Sequence, residues 1–294
     1  MAFFTSATFF LILLHLRGGN SQGDQNFTDS DYVELFLNVE YLETEFFLNG
    51  ALGYGLDQVA PELSMGGPPP IGATRANLSL FVRNIMEEFG YQEVGHLRAI
   101  KSNVRGFARP QVDISPRIFA DFMNKAFGQT LDPLFDPFAN DINFLIASYA
   151  IPYVALTAYV GTIPILQDPT IRELVAGLLG VESGQDAVIR TLLSQSAYSK
   201  VKPYEFTVEE FTTKISGHRD SLGNEGVKDE AIIVDPQFGA EERISGNVLS
   251  ANNDSLSYSR TAVEIIRILY GGLESKVGGF FPNGAEGKIA KSYL

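Results

Sequence analysis

The chain has 294 residues, with 22 Lys or Arg, 35 Asp or Glu, three His and no Cys, and its formal net charge at pH 7 is −13. This charge disfavours binding to nucleic acids and anionic membranes. The lack of cysteine excludes disulfides, thiolate metal sites and cysteine nucleophiles. Because 45% of the residues are hydrophobic, the chain can bury the core of one large or two modest domains.

Residues 1–21 have the composition of a secretory signal peptide. An apolar run from Ala2 to Leu16 is followed by small and polar residues, and the run is shorter than the roughly 20 residues that span a bilayer. Secretion would make three Asn-x-Ser/Thr acceptors usable for glycosylation, at Asn26, Asn77 and Asn253. We therefore expect a secreted glycoprotein that is extracellular, bound in the cell wall or vacuolar.

Two long helices with polar residues on their inner faces are predicted first. One runs from about 30 to 53, and a regular 4,3,4 spacing places Glu40 within an otherwise mostly apolar stripe. A glycine- and proline-rich loop follows it. The next helix runs from about 73 to 102, and the same spacing places Glu93 and His96 on its inner stripe.

Two further long helices follow a long connection. The third, from about 142 to 166, is nearly as apolar as a membrane span, but its serine, tyrosines and prolines indicate a helix buried in protein, with a kink at Pro152. The fourth runs from about 168 to 197, and its inner stripe contains Glu182 and Gln185. No transmembrane segment is therefore expected in the mature chain.

The order of these helices predicts an all-α four-helix bundle with one long crossover between the second and third helices. After residue 200 the sequence becomes rich in Gly, Asn and Ser, with two shorter helical patterns. We divide the chain into a signal peptide (1–21), a helical bundle (26–200) and a C-terminal extension (201–294) that packs on the bundle.

The inner polar residues are of the types that bind two metal ions in bundles of this topology. Such bundles take one Glu from each of two helices and a Glu-x-x-His pair from each of the other two, because residues three apart share one helical face. Here Glu40 supplies the first position, Glu93-x-x-His96 supplies a pair, and Glu182-x-x-Gln185 has Gln in the place of His.

Several segments resemble the plant desiccation-related proteins of the ferritin-like superfamily. They include LNVEYLETEFFLNGALGYGLDQVAPELSMGGPPPIGA, IMEEFGYQEVGHLRAIK, FDPFAN, IPYVALTAYVG, GLLGVESGQDAVIR, RISGNVL and GGFFPNGAEGKIA. The resemblance covers nearly all of the mature sequence. It implies a secreted or stress-associated plant protein with a ferritin-like core, and it implies no particular activity.

The sequence departs from the two-metal pattern on the third helix. Between Asp141 and Asp168 there is no Asp, Glu or His, and in the favoured register Pro152 or Tyr153 occupies the place of the expected carboxylate. Gln185 offers a carbonyl oxygen instead of an imidazole, which binds iron more weakly.

These departures predict a degenerate site formed by Glu40, Glu93, His96, Glu182 and Gln185, with room for one iron or manganese ion. Glu43 lies one turn from Glu40 and is a substitute ligand in principle, although we expect it on an exposed helix face. The alternative is a metal-free cluster satisfied by hydrogen bonds, protons and water, with one or two carboxyl groups neutral.

Three functions remain open from the sequence. The first, which we prefer at this point, is a non-enzymatic protective role of a stable bundle whose metal site has decayed. The second is a single-metal redox protein acting on peroxide or oxygen. The third is a metal-free acid/base enzyme for a small molecule, with Glu93, Glu182 and Tyr153 as candidate catalytic groups. The sequence identifies neither substrate nor partner.

Overall fold

A computed structural model describes residues 27–228 and 230–293. The predicted signal peptide (1–21) and the acceptor Asn26 lie outside the described residues. Asn77 and Asn253, the other two acceptors, are both exposed.

The described residues form helices and no β-strand. The α-helices are α1 (Asp29–Leu52), α2 (Leu56–Val59), α3 (Pro61–Ser64), α4 (Leu80–Asn103), α5 (Pro116–Phe127), α6 (Asp141–Tyr149), α7 (Pro152–Thr162), α8 (Pro169–Ser194), α9 (Val208–Gly223), α10 (Ala262–Tyr270) and α11 (Lys288–Ser292).

Helix α1 packs along α4 and helix α7 packs along α8, and a long crossover that contains α5 joins the two pairs. This arrangement confirms the all-α bundle with one crossover. Helix α4 begins at Leu80 rather than near residue 73, because the side chain of Ser79 caps it by accepting a hydrogen bond from the Val82 amide.

The third bundle helix is broken into α6 and α7 at Pro152, as the sequence predicts. Proline has no amide hydrogen to donate to the carbonyl four residues earlier. The chain instead forms a tight turn in which the Ile151 amide donates to the Ser148 carbonyl oxygen over 3.1 Å.

The segment Asp141–Ile165 is long and apolar enough to cross a membrane, and 89% of its most apolar window is buried inside the protein. The C-terminal part of the chain supplies much of this cover. Helix α9 packs on α6 and helix α10 packs on α7, and the Tyr149 hydroxyl lies 2.6 Å from Ser216 Oγ of α9. The third helix is therefore apolar on its outer face as well as on its inner face.

Helix α1 lies at the centre of the molecule. From Leu35 to Ala51 every residue is buried, because the C-terminal tail covers the face that the other bundle helices leave open. The side chain of Asn38 donates to the carbonyl oxygen of Glu286 over 2.9 Å and accepts from its amide over 2.8 Å. A side chain on any face of α1 therefore points into protein.

Candidate metal centre

Glu40, Glu93, His96 and Glu182 lie together in the middle of the bundle. Helix α1 supplies Glu40, helix α4 supplies Glu93 and His96, and helix α8 supplies Glu182. Each offers one ligand atom such that all four atoms lie within 4.8 Å of one another, and all four residues are buried. The inner faces that the sequence predicts for these residues are thus brought to one point.

The imidazole of His96 is surrounded by the three carboxylates. Its Nδ1 atom lies 3.1 Å from Glu40 Oε2, 3.0 Å from Glu93 Oε2 and 3.5 Å from Glu182 Oε1. Adjacent ligands of an octahedral ion, bonded at about 2.1 Å, lie about 3.0 Å apart. The two shorter distances equal this spacing, and they are also the lengths of hydrogen bonds from the imidazole to Glu40 and Glu93.

Several buried oxygen atoms around the cluster have no hydrogen-bond partner. They are both carboxylate oxygens of Glu182, both of Glu43 and the amide oxygen of Gln185. A buried acceptor without a donor is destabilising by about 1–3 kcal/mol, and a cation removes this deficit. Oxygen and imidazole donors suit manganese and iron, so the residues present fit such an ion.

Gln185, which replaces the expected histidine, helps to fix Glu93. Its amide Nε2 donates to Glu93 Oε1 over 2.6 Å and to Gln92 Oε1 over 3.1 Å. Glu93 thus directs one oxygen towards His96 and the other towards Gln185. Its carboxylate therefore lies between His96 and Gln185.

The third helix contributes a tyrosine, although not the one expected. Tyr159 is fully buried and its hydroxyl donates a hydrogen bond to Glu40 Oε1. Tyr153 instead donates to the Lys228 carbonyl oxygen and to Ser250 Oγ, each over 3.1 Å, in the C-terminal part of the chain. The register that placed Pro152 or Tyr153 at the site was wrong, because α7 presents this part of its surface to the C-terminal residues.

The expectation of an exposed Glu43 was also wrong, since its exposed fraction is 0%. Glu45 on the same helix is equally buried and forms an ion pair with Arg109, which also contacts Asp57. A prediction that assumes one buried face on α1 misses Glu43 and Glu45, because α1 is covered by protein on every side. The signal in the sequence is the density of carboxylates within an apolar helix.

Opposing effects set the protonation of the cluster. Burial alone would raise the pKa of Glu40, but the charge of His96 and its hydrogen bond lower it. Burial alone would lower the pKa of His96, whereas the carboxylates of Glu40 and Glu93 raise it above its ordinary value. Without a metal, a protonated His96 therefore pairs with an ionised Glu40, and metal binding would displace this proton.

The other carboxyl groups favour their neutral forms when no cation is present. Burial raises the pKa of Glu93 well above its ordinary value, and the charge of Glu182 adds to the effect. Burial likewise raises the pKa of Glu182 to about 7. Burial and the charge of Glu40 raise the pKa of Tyr159, so its hydroxyl keeps its proton and donates to Glu40.

Of the four residues of the cluster, only His96 has a partly exposed side chain. Its side chain is 10% exposed, whereas the side chains of Glu40, Glu93 and Glu182 are 0% exposed. Four of the surface cavities among the described residues have volumes of about 290 to 700 Å³, and none of these four is lined by a residue of the cluster. The edge of His96 is thus the part of the cluster nearest to solvent.

The profile of the ferritin-like domain matches residues 28–195 of the chain. The chain belongs to the ferritin-like family. The matched range contains the bundle helices α1, α4, α6, α7 and α8 and all the residues of the cluster. No solved structure matches the chain.

Two plant members of this ferritin-like family are similar over most of their length. The desiccation-related protein PCC13-62 of Craterostigma plantagineum is 56% identical over 234 residues, which are 80% of this chain and 75% of the relative. The ferritin-like catalase Nec2 of Nesocodon mauritianus is 53% identical over 267 residues, which are 90% of this chain and 86% of the relative. The resemblance to desiccation-related ferritin-like proteins is thereby confirmed.

Proposed function

We propose that this desiccation-related ferritin-like protein binds a redox-active manganese or iron ion and decomposes hydrogen peroxide. The observation that carries the proposal is the group of four buried residues whose ligand atoms lie within 4.8 Å of one another. The name of one relative, a ferritin-like catalase, supports the same activity. Removal of peroxide is a protective chemistry that suits a protein related to desiccation.

The overall reaction converts two molecules of hydrogen peroxide into two of water and one of oxygen, so that one peroxide is reduced by two electrons and the other is oxidised by two. A bound manganese or iron ion supplies the redox chemistry, since no side chain of the cluster transfers electron pairs. Glu40, Glu93, His96 and Glu182 would hold the ion. Tyr159 keeps a proton at Glu40 Oε1 and fixes that carboxylate.

The size of the substrate follows from the burial of the site. Hydrogen peroxide is little larger than water, and it would approach the cluster at the exposed edge of His96. A metal-free acid/base enzyme acting on a larger molecule needs a pocket that reaches Glu93 or Glu182, and both side chains are 0% exposed. Tyr153, its third candidate group, bonds to C-terminal residues instead.

The non-enzymatic protective role, which we prefer from the sequence alone, predicts a metal-free cluster whose polar groups are satisfied by hydrogen bonds, protons and water. The five buried oxygen atoms without hydrogen-bond partners favour a bound cation over that state. Buried carboxylates without compensation are destabilising by several kcal/mol each. The non-enzymatic role therefore becomes the outcome expected if purified protein contains no metal.

Secretion and glycosylation are part of the proposal. An apolar segment at residues 1–21 has the features of a signal peptide, and Asn77 and Asn253 are exposed. Expression of the full chain in plant cells should deliver it to the cell wall, the extracellular fluid or the vacuole, and treatment with a glycosidase should lower its apparent mass. Retention in the cytosol without a mass change would contradict this part.

The activity is tested by measuring oxygen release from peroxide with an oxygen electrode. Protein purified without chelator should contain manganese or iron and release one oxygen per two peroxides, and dialysis against a chelator should abolish the activity until the ion is restored. Glu182→Gln should lose the metal and the activity. Glu173→Gln, an exposed glutamate on the same helix, should retain both. Metal-bound protein without oxygen release would overturn the proposed activity.

A further inference from the structure

One of the four surface cavities has no role in the proposed function. Its volume is about 470 Å³, and it lies between α5, α9, α10 and the segment 278–282 near the C-terminus. This volume is typical of sites that bind small molecules. None of the residues that line the cavity belongs to the metal cluster. A ligand bound here would therefore be separate from the peroxide chemistry.

Aromatic side chains form part of the lining of this cavity. The ring of Phe122 on α5 packs edge-on against the imidazole of His218 on α9, with 5.0 Å between the ring centroids. The ring of Phe280 lies 6.4 Å from that of Phe122, and Ile118 and Leu269 add further apolar surface. Aromatic rings attract one another at separations of about 4.5–7 Å. The lining therefore favours a ligand that contains a planar ring.

The imidazole of His218 has a ring nitrogen without a hydrogen-bond partner. Its Nε2 atom is buried and unpartnered, although the side chain lines the cavity. Burial, with the charges of Lys125 and Arg219, lowers the pKa of His218 to about 4, so the imidazole is neutral at pH 7. A neutral imidazole with its proton on Nε2 donates one hydrogen bond from that atom. An acceptor oxygen of a ligand would supply the missing partner.

Lys125 provides a positive charge at the cavity that no carboxylate neutralises. The two carboxylates of the lining, Asp113 and Asp121, lie 3.2 Å and 3.6 Å from the guanidinium of Arg117. The ammonium of Lys125 instead donates to a backbone carbonyl oxygen at the end of α10 over 3.1 Å. An ammonium group has three hydrogens to donate. Two of them are therefore available to an anionic ligand.

We propose that this cavity binds a small aromatic carboxylate, whose ring packs against Phe122 and Phe280 and whose carboxylate accepts hydrogen bonds from Lys125 Nζ and His218 Nε2. A carboxylate has two acceptor oxygens, so one group serves both donors. It supplies the partner that Nε2 lacks and a counter-charge for Lys125. The net charge of −13 disfavours ligands with more negative charge, such as phosphate esters.

The test is the affinity of the purified protein for benzoate, measured by isothermal titration calorimetry. Benzoate should bind about tenfold more tightly than benzamide, which has the same ring without the charge. Lys125→Gln should weaken benzoate binding by at least about fivefold. Lys214→Gln is the matched control, because it removes an exposed lysine of α9 that does not line the cavity, and it should bind benzoate as the wild type does.

Two further measurements separate this site from the metal cluster. Glu182→Gln, which should lose the metal, should keep the wild-type affinity for benzoate, since Glu182 does not line the cavity. The chain has three histidines, so the nuclear magnetic resonance signals of isotope-labelled imidazole nitrogens are few, and that of His218 is identified by its absence in His218→Gln. Benzoate should shift the signal of His218 in the wild type.

Several results would overturn this inference and leave the peroxide activity untouched. They are no binding at about 10 mM benzoate, equal affinities for benzoate and benzamide, an unchanged affinity in Lys125→Gln, and binding that leaves the His218 signal in place. Loss of benzoate binding in Glu182→Gln would show that the probe binds at the metal cluster, and would equally overturn the proposed site.

Discussion

The buried carboxylates of α1 are held in different ways although they lie within two turns of one helix. Glu40 contacts His96 and Tyr159, and Glu45 contacts Arg109. Glu43 between them has no partner for either oxygen. Structural pairing therefore explains Glu45, whereas burial raises the pKa of Glu43 well above its ordinary value and favours its neutral form.

Arg109 offers a prediction at this scale. It is 1% exposed and binds Glu45 within the core and the more exposed Asp57 at the rim. Arg109→Met leaves the buried Glu45 carboxylate without its cationic partner, although the Asn49 amide still donates to it, so we expect the free energy of unfolding of chelator-treated protein to fall by about 3 kcal/mol. Urea denaturation measures this, and the double variant Glu45→Leu with Arg109→Met should recover part of the loss. A loss below about 1 kcal/mol in the single variant would contradict this role.

At the scale of elements, the third bundle helix shows where sequence patterns carry information and where they do not. The break at Pro152 is predictable, because proline ends a helix by its own chemistry. The directions of its tyrosine side chains are not predictable in this way. Helices α6 and α7 are apolar on all faces, so their sequence has no hydrophobic period that shows which face is directed towards the centre of the bundle. Tyr159 faces the centre, and Tyr149 and Tyr153 face the C-terminal residues.

Close contact between α1 and α6 gives a second prediction. A Cβ atom at Gly50 would lie 2.3 Å from the Phe144 ring, whereas one at Gly184 on α8 would meet nothing within 4 Å. We expect Gly50→Ala to lower the free energy of unfolding by about 1–3 kcal/mol, because the stacked rings of Phe46 and Phe144 leave little room to move. Thermal unfolding measures the difference.

Gly184→Ala is the matched control for Gly50→Ala. It should raise stability by about 0.5–1 kcal/mol, since alanine favours an open helical position over glycine. Equal effects of the two substitutions on the free energy of unfolding would show that helix propensity alone determines both effects. Such a result would contradict the importance of the α1–α6 contact.

The packing of α9 on the crossover helix α5 gives a prediction for pH dependence. Burial, with the charges of Lys125 and Arg219, lowers the pKa of His218 to about 4. Between about pH 4 and pH 6.5 the imidazole of His218 is therefore protonated in the unfolded chain and neutral in the folded chain. The free energy of unfolding that depends on the neutral imidazole is fully present above about pH 6.5 and is lost as the pH falls towards 4.

His218→Gln should flatten this part of the pH profile. We expect wild-type stability to fall between pH 6.5 and 4 by about 1–2 kcal/mol more than that of the variant, a figure reduced for the partial exposure of His218. Urea denaturation at several pH values in the presence of a chelator measures the difference. Parallel profiles would contradict the lowered pKa.

At the scale of the whole molecule, the bundle and its four central residues are predictable because helix periodicity places Glu40, Glu93, His96 and Glu182 on inner faces. The burial of Glu43 and Glu45 is not predictable in this way. It depends on residues far away in sequence, such as Glu286, whose backbone pairs with Asn38 and closes the last open face of α1. Long-range cover of this kind leaves no periodic signal in α1 itself.

The central claim is that the buried cluster holds a redox-active ion in the folded molecule. Anomalous diffraction from crystals of protein purified without chelator, recorded at the manganese and iron absorption edges, tests it most directly. We expect a peak about 2.0–2.4 Å from the His96 Nδ1 atom and from the carboxylate oxygens of Glu40, Glu93 and Glu182. Featureless anomalous density, with those side chains bonded only to one another or to water, would contradict the account.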